Sequence, residues 1–133
     1  MPGAVRLLDG RVLVAGGYVG NNMDSGSVAR AELYDPAAGT WAPAAPMREA
    51  RGMFSLSVLH DGRVLAAGGY AYGDLASAEI YHPARDMWSS AGGMFARRRL
   101  HTAVTLENGD VLVVGGYAGS QLRTTELYSP CRG

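Results

Sequence analysis

Val64-Leu65-Ala66-Ala67-Gly68-Gly69-Tyr70, followed nine residues later by Glu79-Ile80-Tyr81-His82-Pro83, decides the architecture of this 133-residue chain. The apolar run is short and continuous, it stops at a glycine pair, and an Asp-Gly dipeptide at Asp61-Gly62 opens it. Such a run between turn signals reads as a β-strand covered on both faces. The dipeptide, with Leu56 to Leu59 before it and Val64 to Ala67 after it, is a hairpin signal in which both turn residues are expected at positive φ.

Two further stretches repeat the pattern. The turn recurs at Asp9-Gly10 and Asn108-Gly109, the apolar run at Val12 to Ala15 and Val111 to Val114, the glycine pair at Gly16-Gly17 and Gly115-Gly116, and the tyrosine at Tyr34 and Tyr128. From Gly62 to Gly109, Gly69 to Gly116 and Tyr81 to Tyr128 the step is always 47 residues. A fixed period of this size marks a repeat architecture, whose units bury their faces by stacking on one another.

Each unit carries a third strand, predicted over Val28 to Tyr34, Leu75 to Tyr81 and Leu122 to Tyr128, with a proline just past its end at Pro36, Pro83 and Pro130. In the second unit Leu75, Ser77, Glu79 and Tyr81 fall on one face, and Ala76, Ala78 and Ile80 on the other. Trp41 and Trp88 begin a short fourth strand, and Met47 and Met94 follow six residues later. Glycine, proline and turn dipeptides interrupt every window in which a helix could build. The fold class is all-β. Four short antiparallel strands per unit, apolar on both faces, fit the blades of a β-propeller.

The glycine pair and tyrosine, then Glu-Leu-Tyr-Asp-Pro at 32–36, Trp41 seven residues after Tyr34, and Met47 with Arg51 four residues on resemble the kelch motif. The resemblance covers the whole chain and implies three kelch-like blades: about 1–47, about 52–94, and about 99–133, the last without its fourth strand. Propellers have roughly four to eight blades, so three blades amount to an open wedge. If each end face leaves roughly 300 to 600 Å² of apolar surface wet, at about 25 cal/mol per Å² the loss is on the order of 8 to 15 kcal/mol per face. That rivals the 5 to 15 kcal/mol typical of a whole domain. The expected remedy is self-association, with two copies about a two-fold axis closing a ring of six blades. The rival expectation is a piece of a longer propeller.

Composition narrows the partners. Twelve basic and twelve acidic residues cancel, which gives no global field for nucleic acid or an anionic membrane. All twelve basic residues are arginine. A single cysteine, Cys131, rules out an intrachain disulfide and a cysteine-type zinc site. No stretch has the length and apolarity of a membrane span, and the first residues lack the pattern of a signal peptide. The sequence assigns no compartment.

Glu32, Glu79 and Glu126, with Arg51 and Arg98, recur in register, and recurrence argues for scaffold: a catalytic group is needed once, a buried charge pair once per unit. The glycine pairs match no phosphate-loop pattern. Differences between units are better guides to function. Fourteen residues separate Gly17 from Glu32, against nine between Gly69 and Glu79, which places an insertion around residues 20–25. Insertions in repeats map to loops on one face. That face is expected to collect Tyr18, Asn21, Asn22, Asp24, Arg48, Glu49, Tyr70, Tyr72, Asp74, Arg97, Arg99, Tyr117 and Gln121. Tyrosines and arginines together have the composition of a protein or peptide hot spot, and the Arg97 to Arg99 run suits a carboxylate or phosphate.

His60, His82 and His101 are dispersed, and dispersed histidines are expected as surface or turn residues. The resemblance also admits an enzyme, since kelch-like propellers include copper radical oxidases of the galactose-oxidase kind, with tyrosine and histidine ligands and a tyrosine–cysteine crosslink, as well as carbohydrate-binding forms. No ligand pair of that kind is recognisable here. The expectation is a non-enzymatic interaction module with no cofactor and no metal, partnered by itself and by a protein or peptide.

Overall fold

The computed structural model describes residues 2–20 and 26–129. Eleven strands form three antiparallel sheets. The first holds β1 (Gly3–Arg6), β2 (Val12–Ala15), β3 (Ala31–Asp35) and β4 (Thr40–Ala44) in chain order. The second holds β5 (Ser55–Val58), β6 (Val64–Ala67), β7 (Ser77–His82) and β8 (Met87–Gly93). The third holds β9 (Thr102–Thr105), β10 (Val111–Val114) and β11 (Thr125–Tyr128). The register repeats with the sequence: Val14 faces Glu32, Ala66 faces Glu79 and Val113 faces Glu126. No helix occurs among the described residues.

The hairpins form where the dipeptides place them, but the turn differs from expectation. Only the glycines take positive φ, at +94°, +92° and +93° for Gly10, Gly62 and Gly109. The Gly10 N–H donates to the Leu7 carbonyl at 3.0 Å and the Leu7 N–H to the Arg11 carbonyl at 2.7 Å. This is a type I turn closed by a glycine bulge. The residue before the glycine stays out of the left-handed region and uses its side chain instead: Asp9, Asp61 and Asn108 each accept the N–H of the residue two positions on, at 3.0, 3.1 and 3.0 Å.

The third strands begin about three residues later than predicted. Residues ahead of β3 and β7 turn their backbone to the link that leaves the same sheet after its fourth strand: the Arg98 N–H donates to Leu75 and the Met94 N–H to Ala76, while Arg51 and Met47 do the same to Val28 and Ala29.

Two apolar layers hold the sheets face to face. Leu13, Ala15, Ala31 and Leu33 of the first sheet pack on Val64, Ala66, Tyr81 and Trp88 of the second. Leu65, Ala67, Ala78 and Ile80, on the other face of the second sheet, pack on Val111 and Val113 of the third. The predicted alternation of β7 is thus realised, with Tyr81 in one layer and Ile80 in the other. Coverage of the second strand on both faces holds only for β6, which is buried throughout. β2 and β10 each bury one face, because a sheet at the end of a stack has one neighbour.

Candidate functional site

The glycine pairs bring the post-glycine tyrosines to one end of the sheets. Backbone bridges join Tyr18 to Ser27, Gly52 to Tyr70, Tyr70 to Asp74, Arg99 to Tyr117 and Tyr117 to Gln121. Gly69 requires glycine: its φ is +105°, its N–H donates to the Arg98 carbonyl at 2.8 Å, and a Cβ there would lie 2.5 Å from the Gly52 carbonyl oxygen. The same end therefore receives the interblade links.

Four of the candidate residues form one cluster. The Arg99 guanidinium lies 4.9 Å from the Tyr70 ring centre and 4.8 Å from that of Tyr117, and its Nε is 3.4 Å from Asp74. Cation–π stacking on two rings plus an acid accounts for this arginine within the fold. Ser27 Oγ donates to the Tyr70 carbonyl at 2.9 Å and ties the first loop to the cluster. Asn21, Asn22 and Asp24 lie outside the described residues. Arg48 and Arg97 are exposed, as is Gln121. Arg97 lines a groove with Glu49, Tyr72, Asp74 and Leu75.

Tyr72 is a residue whose importance the composition of the loop does not convey. It is 80% exposed and holds φ at +58°. The same place, three residues after the glycine pair, is occupied by Gly20 at +68° and Gly119 at +76°. A bulky left-handed residue costs on the order of 1 kcal/mol. The other two units give this conformation to glycine, and aligning the repeats is the signal that finds the exposed, left-handed tyrosine.

Two of the three recurrent glutamates, Glu79 and Glu126, pair with the two recurrent arginines, which are buried. Glu79, 2% exposed, accepts the N–H groups of Arg48 at 2.7 Å and Glu49 at 3.2 Å and the guanidinium of Arg51 at 2.9 Å. Arg51, 1% exposed, also donates to the carbonyls of Gly68 and Ser77 and to Ser77 Oγ. The third sheet repeats the arrangement: Glu126 accepts from Phe95, Ala96 and Arg98 at 2.6, 3.0 and 2.9 Å, and Arg98 reaches Gly115 and Thr124. Burial works against the Glu126 carboxylate, but the Ala96 and Phe95 N–H groups and the Arg98 guanidinium outweigh it and hold its carboxyl below the ordinary value. Glu32, in the same register, is exposed, and no described residue donates to it.

The aromatic pairs show the same asymmetry. Tyr81 and Trp88 lie 5.0 Å apart and are buried, with Trp88 Nε1 donating to the Ala45 carbonyl at 2.8 Å. The Tyr81 hydroxyl donates to Asp86 at 2.8 Å. Tyr34 and Trp41 form a matching pair at 4.9 Å, yet Trp41 is 56% exposed.

The histidines depart in part from the surface reading. His60 is exposed, and His82 Nε2 pairs with Ser89 Oγ at 2.8 Å. His101 packs over Gly68 and Gly116, with Nε2 3.0 Å from Ser55 Oγ, and burial pushes its imidazole down to about 4. Sequence position at the head of a strand hid this, because two glycines create the space it fills. Among the described residues no group of three His, Cys, Asp or Glu side chains converges as a metal site, and Cys131 lies outside them. No helix among them is long and apolar enough to cross a membrane.

A family model described as the Kelch motif matches residues 2–48, which is the first sheet with its outgoing link. No curated protein matches the chain. The matched unit ends at Arg48, and the second and third units repeat its glycine pair, its Glu-x-Tyr strand and its strand register. The first of the three stacked antiparallel sheets thus matches a kelch motif, and the other two repeat its strand register, as the kelch-like blades of a partial propeller would.

Proposed function

We propose that the chain is a non-enzymatic interaction module whose end sheets are completed by further blades, with a second copy closing a six-bladed ring. The loops around Tyr18, Tyr70, Tyr72, Asp74, Arg97 and Tyr117 then present a protein- or peptide-binding mouth. One observation carries the reading: the same tyrosine–tryptophan pair is buried in the second sheet and open in the first. At the opposite end Val114 and Leu127 are 39% and 56% exposed, although their counterparts Ala67 and Ile80 are buried. Two apolar faces on one chain, each the counterpart of a face already used inside it, favour a heterologous contact that closes by rotation.

Tryptophan quenching tests this. As protein concentration rises from nanomolar to tens of micromolar, Trp41 emission should shift to the blue and lose its sensitivity to acrylamide, while buried Trp88 stays unquenched throughout. Quenching of Trp41 that is constant across that range would refute association through this face.

A further inference from the structure

The first sheet carries a seat that the second and third sheets fill with a defined piece of backbone. In the second sheet the occupant is the link after β4: its Ala45 carbonyl accepts from Trp88, its Arg48 and Glu49 N–H groups donate to the Glu79 carboxylate, and its Arg51 guanidinium reaches Glu79 and the carbonyls of Gly68 and Ser77. The third sheet takes Phe95, Ala96 and Arg98 in the same way on Glu126, Gly115 and Thr124. The spacing is identical: two successive N–H donors, one residue skipped, then arginine. The counterparts in the first sheet are Glu32, the carbonyls of Gly16 and Arg30, and the indole N–H of Trp41; of these residues Glu32, Arg30 and Trp41 line an open groove with Pro43 and Pro46.

We infer that this groove is a binding site for an arginine-bearing peptide segment from another polypeptide, held by Glu32 and Trp41 as Glu79 and Trp88 hold residues 45–51. The chemistry of the occupant is set by the two filled seats. A carboxylate that faces two amide N–H groups and a guanidinium forms charge-assisted hydrogen bonds, and an indole N–H beside it requires a carbonyl. Two residues differ from the filled seats: Arg30 replaces the hydroxyl of Ser77 and Thr124, and Gly39 replaces Asp86, which accepts the Ala45 N–H at 2.9 Å. Both weaken the seat, Arg30 by placing like charge beside the incoming guanidinium and removing an acceptor. The inference rests on the reading of this face as a docking surface, but not on its closure by a second copy, since the second sheet accommodates a neighbouring sheet and a link together.

The test is calorimetric titration with the capped synthetic peptide Ala-Pro-Met-Arg-Glu-Ala-Arg, the sequence of residues 45–51. The wild-type chain should bind it, and the peptide ending in Ala instead of Arg should bind about tenfold more weakly or not at all. Glu32→Gln should weaken binding by about tenfold, with an unchanged melting temperature because the exposed carboxylate has no described partner. Arg30→Ser should tighten binding several-fold, a gain that loss of folding cannot imitate. No binding to either wild type or Arg30→Ser at millimolar peptide, equal affinity for the Arg and Ala peptides, or indifference to Glu32→Gln would each overturn the inference; the last would mean that the peptide displaces a native link. Oligomer mass, measured alongside, reports separately on ring closure.

Discussion

Alanine at the three recurrent glutamates should give three different results, although the sequence places them in one register. Glu79→Ala removes a 2% exposed carboxylate with three donors and leaves the Arg51 guanidinium, itself 1% exposed, with Gly68, Ser77 and a 3.8 Å approach to the half-exposed Glu49 carboxylate. Breaking a buried pair by removing one partner costs about 3 to 5 kcal/mol. At roughly 3 to 4 °C per kcal/mol for a chain of this size, the melting temperature should fall by about 10 to 20 °C. Glu126→Ala cuts the same three bonds at a side chain 12% exposed, so a smaller loss of about 2 to 3 kcal/mol is expected. Glu32→Ala should change stability by no more than about 0.5 kcal/mol, as surface substitutions do. Thermal unfolding followed by circular dichroism, on dilute protein, reads all three. Equal losses at Glu32 and Glu79, or a loss below about 1 kcal/mol at Glu79, would refute the assignment of the Glu–Arg pair as the tie between blades.

Charge placed on either end face should prevent association without unfolding the chain: Val14→Arg and Leu127→Arg, at half-buried and exposed positions, should each sediment as single chains with native circular dichroism. Tyr72→Gly should raise stability by roughly 0.5 kcal/mol, since relief of the +58° backbone outweighs glycine's extra entropy in the unfolded chain, while ligand binding at the mouth is lost; a fall in melting temperature would remove the strain argument. His101 folds with its imidazole held near 4 by burial, against an unfolded value of 6.5, so the unfolded chain takes up the extra proton. Stability should therefore be full above pH 6.5 and decline as pH falls toward 4, by roughly 2 kcal/mol at pH 5. A melting temperature that is flat between pH 7 and 5 would contradict the burial of this ring.

Much of the architecture was legible because its causes are local. Asp-Gly and Asn-Gly before apolar runs fix the hairpins, and residues 47 apart meet the same neighbours in successive sheets, so a recurring Glu and Arg announce a recurring bond. The turn type was not legible, because Asp9 and Asp61 gain more from capping an N–H with their carboxylates than from entering the left-handed region. The late start of β3 and β7 depends on the link that leaves the same sheet after its fourth strand and folds back on them, which local alternation does not encode. Of the loop residues, Tyr70, Asp74, Arg99 and Tyr117 do meet, but Arg99 is held by the other three. Arg97 and Tyr72 remain open to a ligand, and only comparison with Gly20 and Gly119 exposes the strain at Tyr72. Nor does a periodic sequence reveal which copies stand at the ends of the stack: Trp41 and Trp88 are equivalent as letters and opposite in exposure.

Completion of the end faces by further blades is tested most directly by the mass of the purified chain in solution, measured by light scattering at tens of micromolar. Completion by a second copy gives a particle of twice the 14.0 kDa chain mass, which dissociates on dilution and in Val14→Arg. A stable particle of 14.0 kDa at every concentration, with Trp41 open to quencher, would contradict it.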